Sequence, residues 1–262
     1  MSQPGVALAL SSGGARGLAH IGVLKVLDQN QIPITGIAGS SMGGLVGALY
    51  CTGYTGAMIE EVALGIRRTD WIDFTLSKMG LVAGRKLEGL LSLLTRGRQF
   101  EDCRPPLKVV AVDIESATTV LIDSGSLAEG VRATVSIPGI FSPVVRQGQV
   151  LVDGGVLNRV PVDVARLFPH SIVVAVDVGV ELSPKVGSVF DVLFQTFDIM
   201  ARQLRQYQPL DADIVIEPKL TFNRDAHFSQ VAALIRAGEE AAELALPEIM
   251  ALLGTGIKGG AL

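Results

Sequence analysis

Apolar and polar positions along the first fifty residues predict two strand–helix pairs. The apolar run GVALALSS, residues 5–12, predicts a buried strand, and ITGIAGS, residues 34–40, predicts a second one. LAHIGVLKVLDQNQ, residues 18–31, has apolar side chains at helical spacing, and MGGLVGALYCTG, residues 42–53, predicts another helix that is closed by Gly53. Strand–helix–strand units of this length favour a parallel sheet with helices on its faces.

The remainder of the chain continues this alternation, apart from one irregular stretch. Residues 55–98 have a helical pattern without a strong strand, and GTGIKGGAL, residues 254–262, indicates a frayed end. We expect a single α/β domain over 1–262, with 55–100 as a cap segment inside it. Further predicted strands cover 107–114, 117–123, 149–155, 171–180 and 212–218, and further predicted helices cover 126–137, 189–208 and 228–249.

Composition narrows the classes of function. The net charge of −4 and the lack of a basic run argue against nucleic-acid binding. The two cysteines, Cys51 and Cys103, have no metal-ligand spacing, so we expect buried thiols in a reducing compartment and no metal site. No leader-like or membrane-spanning run is present, which favours a cytoplasmic protein. A mean hydropathy of +0.44 fits either a large core or an apolar surface that contacts lipid, as in peripheral contact at the inner membrane surface.

The clearest candidate for chemistry is a serine between two glycines. Within GIAGSSMGG, only Ser41 has glycine both two residues before it, Gly39, and two residues after it, Gly43. This G-x-S-x-G pattern is typical of a nucleophile elbow, a sharp strand-to-helix turn that holds the hydroxyl clear of the sheet. The strand and the helix that an elbow requires are both predicted, whereas Ser40 belongs to the strand end. The simpler alternative is a glycine-rich turn in which the serine only caps the helix.

A second glycine-rich stretch, SSGGARGLAH at residues 11–20, joins the first strand to the first helix. Backbone N–H groups at a helix N-terminus suit an anion, either a phosphate or the oxyanion of an acyl-transfer reaction. A dinucleotide fingerprint is disfavoured, because Ser12 replaces its first glycine and no acidic residue closes the second strand. Parallel pairing brings residues 13–17 beside Ser41, where Arg16 adds positive charge unless it is an ordinary surface residue.

A serine nucleophile needs a group that takes its proton. His20 lies on the first predicted helix and is expected to pack, and His170 precedes a strand at the edge opposite the site. His227 follows the last strand, and the order Ser41, Asp153, His227 fits an α/β-hydrolase, although the elbow there follows several strands rather than two. The other candidate is Asp153 in LVDGGVLNRVPV, where Asp-Gly-Gly by itself indicates a tight turn. An aspartate serves as a base at neutral pH only if burial raises its pKa beside the serine.

Three motifs in this order, SSGGARGLAHIGVL, GSSMG and DGGVLNRVP, resemble the patatin-like phospholipase family, in particular its bacterial and neuropathy-target-esterase-like members. The resemblance extends over SIPGIFSPV and GLVAGRKLEGLL, and so over most of the chain. It implies a three-layer α/β/α sandwich and a Ser–Asp dyad without histidine, in which Ser41 is the nucleophile and Asp153 the proton acceptor. The implied oxyanion hole comprises Gly13, Gly14, Arg16 and Gly17, the elbow glycines are Gly39 and Gly43, and the DGG glycines are Gly154 and Gly155.

On these grounds we expect a serine acyl hydrolase that cleaves lipid esters, with a lipid substrate and no cofactor or nucleic-acid partner. One alternative is a conventional Ser–His–Asp hydrolase that uses His227. The other is a non-catalytic module that binds a nucleotide or phosphate at the loop 12–17. Covalent labelling by a fluorophosphonate distinguishes this module from the two hydrolases.

Residues 67–98 combine apolar and basic side chains, with Trp71 and Phe74 among cations such as Arg85 and Lys86. Apolar anchors beside cations suit an anionic lipid surface, so a cap over Ser41 that contacts the membrane is one hypothesis. The alternative is a helical segment that packs its tryptophan into the core.

Overall fold

The described part of the chain contains eleven strands and eight α-helices. A computed structural model describes residues 5–66, 70, 73–77, 79–179, 186–187, 189–207, 209–220 and 229–258. Strands β1 to β11 are Gly5–Leu10, Ile34–Ser40, Phe74–Ser77, Gly80–Val82, Leu107–Asp113, Thr118–Ile122, Gly139–Phe141, Val144–Arg146, Gln149–Asp153, Ser171–Val176 and Ile214–Ile216. Helices α1 to α8 are Ala19–Gln29, Met42–Cys51, Gly56–Gly65, Arg85–Leu94, Leu127–Thr134, Val162–Ala165, Val189–Tyr207 and Ser229–Lys258.

The central sheet is mostly parallel and has the order β11-β10-β1-β2-β5-β9-β8, with β6 also pairing with β5. Strands β11, β10, β1, β2 and β5 run parallel, whereas β9 and β6 are antiparallel to β5 and β8 is antiparallel to β9. Leu10 at the end of β1 pairs with Gly39 near the end of β2. The loops that follow these two strands therefore leave the sheet side by side.

The two faces of the sheet are packed differently, and β1 shows this within six residues. Its larger side chains, Val6, Leu8 and Leu10, belong to the cluster that α1, α2 and α8 cover. Its alanines, Ala7 and Ala9, belong to a second cluster, which the region around α6 covers from the other side. Alternate residues of a strand point to opposite faces, so this pattern makes a three-layer α/β/α arrangement, as the resemblance implies.

Residues 55–98, predicted to be helical without a strong strand, also contain the two short strands β3 and β4. Strand β4 pairs with β3 and, in parallel, with the distant β7 to form a small three-stranded sheet. The buried guanidinium of Arg132 on α5 ties this sheet to the domain, because it donates to the carbonyl oxygens of Ala83, Gly84 and Ser142 at 2.8–3.2 Å. These short strands depend on long-range pairing, which local periodicity does not reveal.

The last helix is also longer than predicted, since α8 continues to Lys258 instead of ending near residue 249. It packs closely along α1 at two glycines. A Cβ at Gly22 would overlap the carbonyl oxygen of Ile235, and a Cβ at Gly238 would overlap that of Ala19. This close approach stabilises the middle of the helix through tertiary packing.

Candidate active site

Ser41 occupies a strained turn between β2 and α2. Its backbone has φ 51° and ψ −120°, a conformation that non-glycine residues rarely adopt. The neighbouring glycines leave room for this turn. A Cβ at Gly39 would lie 2.5 Å from the Cα of Gly44, and a Cβ at Gly43 would overlap the carbonyl oxygen of Leu10. The elbow therefore requires glycine at both positions for steric reasons.

The backbone of Ser41 is held in this conformation by Thr134, at the end of α5. The Ser41 N–H donates to Thr134 Oγ1 at 2.9 Å, and that hydroxyl donates in turn to the carbonyl oxygen of Val110 at 2.5 Å. The sequence analysis did not identify this threonine, because RATVSIPG carries no signal that links it to the elbow. Thr134 thus joins the strained serine to the central strand β5.

The side chains of Ser41 and Asp153 are in direct contact. Ser41 Oγ donates to Asp153 Oδ2 at 2.6 Å, and the N–H of Gly155 donates to the other carboxylate oxygen, Oδ1, at 2.8 Å. Asp153 is the last residue of β9, and its own N–H donates to the carbonyl oxygen of Ser136 at 2.9 Å. A Cβ at Gly154 would overlap the carbonyl oxygen of Val110, so the turn after Asp153 also needs a glycine.

Burial changes the basicity of Asp153. Its side chain is buried, and desolvation raises the pKa of its carboxyl group to about 6. The hydrogen bonds from Ser41 and Gly155 and the positive charge of Arg159 oppose this shift but do not cancel it. A carboxylate with this pKa is mostly ionised at neutral pH and yet basic enough to accept a proton from a hydroxyl during a reaction.

The glycine-rich loop lies directly beside the elbow. It forms a 3-10 turn over Gly14–Leu18, and Gly17 packs so closely against Met42 that a Cβ at this glycine would overlap the methionine side chain. The N–H of Arg16 makes the first bond within the turn, to the carbonyl oxygen of Gly13 at 3.1 Å. The N–H groups of Gly14 and Ala15 come before that bond in the turn, so they are the backbone donors available for an anion at this end.

Arg16 is not the ordinary surface residue that one interpretation of the sequence allowed. Its side chain is buried, and its guanidinium contacts Asp198 of α7, with a distance of 2.7 Å between Nη2 and Oδ1. The same guanidinium also donates from Nε to the carbonyl oxygen of Gly13 at 3.4 Å. A buried ion pair therefore connects the loop of the candidate site to a helix from the C-terminal half of the chain.

Arg159 is a second, partly buried arginine at this edge, and the sequence analysis missed it. It donates to Ser12 Oγ at 3.3 Å and to the carbonyl oxygen of Gly179, and its Nε lies 3.9 Å from Asp177 Oδ1. Its position six residues after Asp153, in DGGVLNRVP, was the available signal. Arg159 brings positive charge to the loop after Asp153, on the side where Ser12 begins the glycine-rich stretch.

The described histidines do not contact Ser41. His20 is fully buried on α1, where its Nε2–H donates to the carbonyl oxygen of Ser11 at 2.8 Å, and burial lowers its pKa to about 4. His170 directly precedes β10, at the opposite edge of the sheet from Ser41, a strand length of about 20 Å away. His227 lies outside the described residues. Asp153 is thus the titratable group that the structure brings to the serine hydroxyl.

Several other expectations concern residues that the structure describes only in part. Trp71 lies outside the described residues, and of β3 only the backbone is described, so the membrane-contacting cap at 67–98 stays a prediction.

Both cysteines are buried and unpaired, as expected. Within the described ranges, no group of three or more His, Cys, Asp or Glu side chains could hold a metal ion. Of the helices that the structure describes, none combines the length and apolar character needed to cross a bilayer.

Comparison with known proteins gives a family match over the region that contains both Ser41 and Asp153. A family model described as patatin-like phospholipase matches residues 8–166. An NTE family protein of Mycobacterium tuberculosis is 36% identical over 162 residues, which cover 61% of this chain and 45% of the relative. Human patatin-like phospholipase domain-containing protein 6 is 31% identical over 187 residues, which cover 66% of this chain and 13% of that protein. The chain therefore spans less than half the length of these curated relatives.

Solved structures with little sequence identity share the fold. VipD from Legionella pneumophila matches 97% of this chain and 67% of its own, with a TM-score of 0.64 and 14% identity. ExoU of Pseudomonas aeruginosa, in its complex with SpcU, matches 95% of this chain and 53% of its own, with a TM-score of 0.57 and 16% identity. The resemblance in fold thus extends beyond residue 166, to the C-terminal strands and helices.

Proposed function

The chain belongs to the patatin-like phospholipase family, and from this premise we propose that it hydrolyses carboxylic esters of lipids through a dyad of Ser41 and Asp153. The observation that carries the proposal is the 2.6 Å hydrogen bond between Ser41 Oγ and Asp153 Oδ2. A serine in a strained elbow, bonded to a buried carboxylate of raised pKa, has the two parts that nucleophilic catalysis needs.

The reaction begins with attack on the ester. Ser41 Oγ forms a bond to the carbonyl carbon while its proton passes to Asp153 Oδ2, which already accepts that proton in a hydrogen bond. The carbonyl π electrons move to the oxygen and make an oxyanion. The raised pKa of Asp153 favours this transfer, because the buried carboxylate loses its charge as the proton arrives.

The second half of the cycle returns the dyad to its first state. The tetrahedral intermediate collapses, the bond to the leaving alcohol breaks, and Asp153 gives its proton to the departing oxygen. A water molecule then gives a proton to Asp153 and attacks the acyl-enzyme. When this second intermediate collapses, Ser41 Oγ leaves and regains its proton, and the carboxylic acid is released.

The glycine-rich loop is the proposed oxyanion hole. The N–H groups of Gly14 and Ala15 precede the first bond of the 3-10 turn, and the turn packs against Met42, next to the nucleophile. Donors fixed in this way stabilise charge that develops in the transition state without reorganisation. We assign Gly13 and Gly17 the steric role of closing the loop on Val178 and Met42, and Arg16 an electrostatic role through its side chain.

A lipid is the proposed substrate class. A cavity of about 370 Å³ reaches Gly155, directly beside the dyad, and its wall includes Leu157, Val160, Leu204 and Leu210 as well as Arg159 and Arg205. The wall also includes Asp163, Arg166 and Asp211, so the lining is partly apolar and partly charged. The apolar part suits an acyl chain, and the charged part suits a polar head group attached to it.

The direct test is labelling with a fluorophosphonate probe, which forms a covalent bond only with an activated serine. We expect mass spectrometry to find the adduct on the peptide that contains Ser41 and to find none in Ser41→Ala. A screen of phospholipids, lysophospholipids and acylglycerols then identifies the ester class that is cleaved. A protein that the probe does not modify, and that releases no fatty acid from any lipid, would contradict the proposal.

A further inference from the structure

Two charged side chains of the long helix α7, those of Asp198 and Arg205, are turned towards the protein. Asp198 contacts Arg16 at 2.7 Å, and both side chains are buried. About two turns later, Arg205 contacts Asp177 at 3.3 Å, in the loop that follows β10. Ionic groups normally occupy the solvent side of a surface helix, so these two inward ion pairs are exceptions.

The solvent side of the same helix carries four large apolar side chains among polar ones. Val192, Ile199, Met200 and Tyr207 are between 48% and 80% exposed. Their spacing of seven, one and seven residues places them along one stripe of the helix surface. We call these four residues the outer stripe. The described residues between them on that side, Thr196 and Gln203, carry no charge, and Arg202 lies on the flank.

The helix also borders the candidate active site. Ala201, Leu204 and Arg205 line the cavity that reaches Gly155, two residues after Asp153. Ser41 and Asp153 are only 4% and 6% exposed. A lipid ester can therefore reach Ser41 only if part of the surrounding structure moves. Helix α7 borders the cavity, and ion pairs attach it to Arg16 and to Asp177.

We propose that α7 is a lid whose outer stripe binds an anionic lipid surface, and that the Arg16–Asp198 and Arg205–Asp177 pairs hold the lid closed in the absence of lipid. This inference rests on the proposed function, because the lid covers the same dyad. Binding at the bilayer surface inserts the stripe into the lipid, pulls the helix outward and separates Arg16 from Asp198. The oxyanion loop and the cavity then open at the surface that contains the substrate.

Charge and area favour lipid over a protein partner. The outer stripe itself carries no charge; the flank beside it has Arg202, which complements anionic head groups, and Asp191, whose carboxylate accepts from the Gly187 N–H at 3.1 Å. Tyr207, at the end of the stripe, is suited to the boundary between acyl chains and water. Four side chains of this size expose on the order of 400 Å², which is well below the roughly 800 Å² per partner of a standard protein interface.

The first experiment measures binding without turnover. In a Ser41→Ala background, flotation with vesicles of phosphatidylcholine and phosphatidylglycerol is compared for the parent, for Ile199→Gln/Met200→Gln and for Leu244→Gln. Leu244 is the matched control, because it is 82% exposed on α8 and away from the outer stripe. We expect the double variant to bind vesicles at least about tenfold more weakly than the parent, and the control to bind like the parent. Equal binding of all three proteins would overturn the proposal, whether or not the chain proves to be a hydrolase.

The second experiment tests the closing contact. Asp198→Asn should raise hydrolysis of a soluble short-chain ester several-fold and reduce the further stimulation by vesicles, because the lid no longer needs lipid in order to open. The same variant should retain vesicle binding. A lower rate on the soluble ester, with unchanged stimulation by vesicles, would contradict the closing role.

Size-exclusion chromatography with light scattering tests the remaining explanation, that the outer stripe is an interface between two copies of the chain. If the parent is a dimer that Ile199→Gln/Met200→Gln converts to a monomer, the outer stripe is an interface between two copies and the lipid proposal fails. We expect the same oligomeric state for the parent, the double variant and Leu244→Gln.

Discussion

Ser41 Oγ donates a hydrogen bond to Asp153 Oδ2 although 112 residues separate the two side chains. The serine follows a parallel strand and the aspartate ends an antiparallel one, and both strands flank β5. Because the contact is short and buried, the protonation state of Asp153 determines whether it can accept the proton of the Ser41 hydroxyl.

The two adjacent serines should differ completely in function. Ser41→Ala removes the nucleophile and should lower kcat by several orders of magnitude, whereas Ser40→Ala should retain near-parental activity. The Ser40 hydroxyl is fully buried and has no hydrogen-bond partner among the described residues, so its loss should not lower the melting temperature. Hydrolysis of p-nitrophenyl esters and thermal unfolding measure both effects. Parental activity in Ser41→Ala would show that another residue is the nucleophile.

Asp153→Asn should abolish activity while stabilising the protein at neutral pH. The asparagine can still accept from the Gly155 N–H and contact Ser41, but it takes no proton. The pKa of Asp153 is raised to about 6 in the fold, so its contribution to stability is present below the unfolded pKa of about 3.9 and is lost as the pH rises through 6. At pH 7.5 this lowers the free energy of unfolding of the parent by roughly 2–3 kcal/mol, and the uncharged asparagine avoids that loss. Denaturant unfolding at pH 4 and pH 7.5 compares the two proteins, and a variant that is less stable at pH 7.5 would contradict the raised pKa.

The pH dependence of the reaction should follow the same carboxyl group. Asp153 acts as a base only when it is ionised, so kcat/KM for a soluble ester should rise with pH and level off above an apparent pKa of about 6. Stopped assays between pH 4.5 and 8.5, in buffers of constant ionic strength, record the profile. A rate that keeps increasing beyond pH 8 would instead indicate a base other than this carboxylate.

Thr134 should be a positioning residue for the nucleophile. Thr134→Val keeps the side-chain shape but leaves the Ser41 N–H without its acceptor, so the strained turn should relax. We expect kcat to fall by about tenfold to a hundredfold with little change in KM, since a small displacement of the hydroxyl affects the attack more than binding. Thr134→Ser restores the hydroxyl and should recover most of the rate. If the valine variant lost stability but kept its kcat, the role would be structural only.

The histidines should be dispensable for the chemical step. His227→Ala and His170→Ala should both retain appreciable activity, because Asp153 already accepts the Ser41 proton. His20 is a matched contrast, since it is buried and bonded to Ser11, and its replacement should lower stability rather than kcat. Steady-state kinetics and melting temperatures separate the two effects. A folded His227→Ala protein without activity would favour the conventional Ser–His–Asp arrangement.

Much of the candidate site could be predicted because its signals are local. The turn around Ser41 needs small residues at fixed offsets, and the overlaps that a Cβ would cause at Gly39 and Gly43 explain the G-x-S-x-G spacing. Thr134 has no such signal, because it acts through a contact with a residue far away in the chain. Arg159 lies six residues after Asp153 in DGGVLNRVP, but this spacing does not show its contact with Ser12.

The sequence by itself determined the alternation of strands and helices, the elbow and the two faces of β1, where leucine alternates with alanine. Steric rules that act over a few residues are sufficient for these features. Only the tertiary structure decided that β9 runs antiparallel to β5 and brings Asp153 to Ser41, and that burial there raises the pKa of the carboxyl group. It also decided that Asp198 on a distant helix contacts Arg16. Strand order, desolvation and helix docking depend on contacts between segments far apart in the chain, and local periodicity does not encode them.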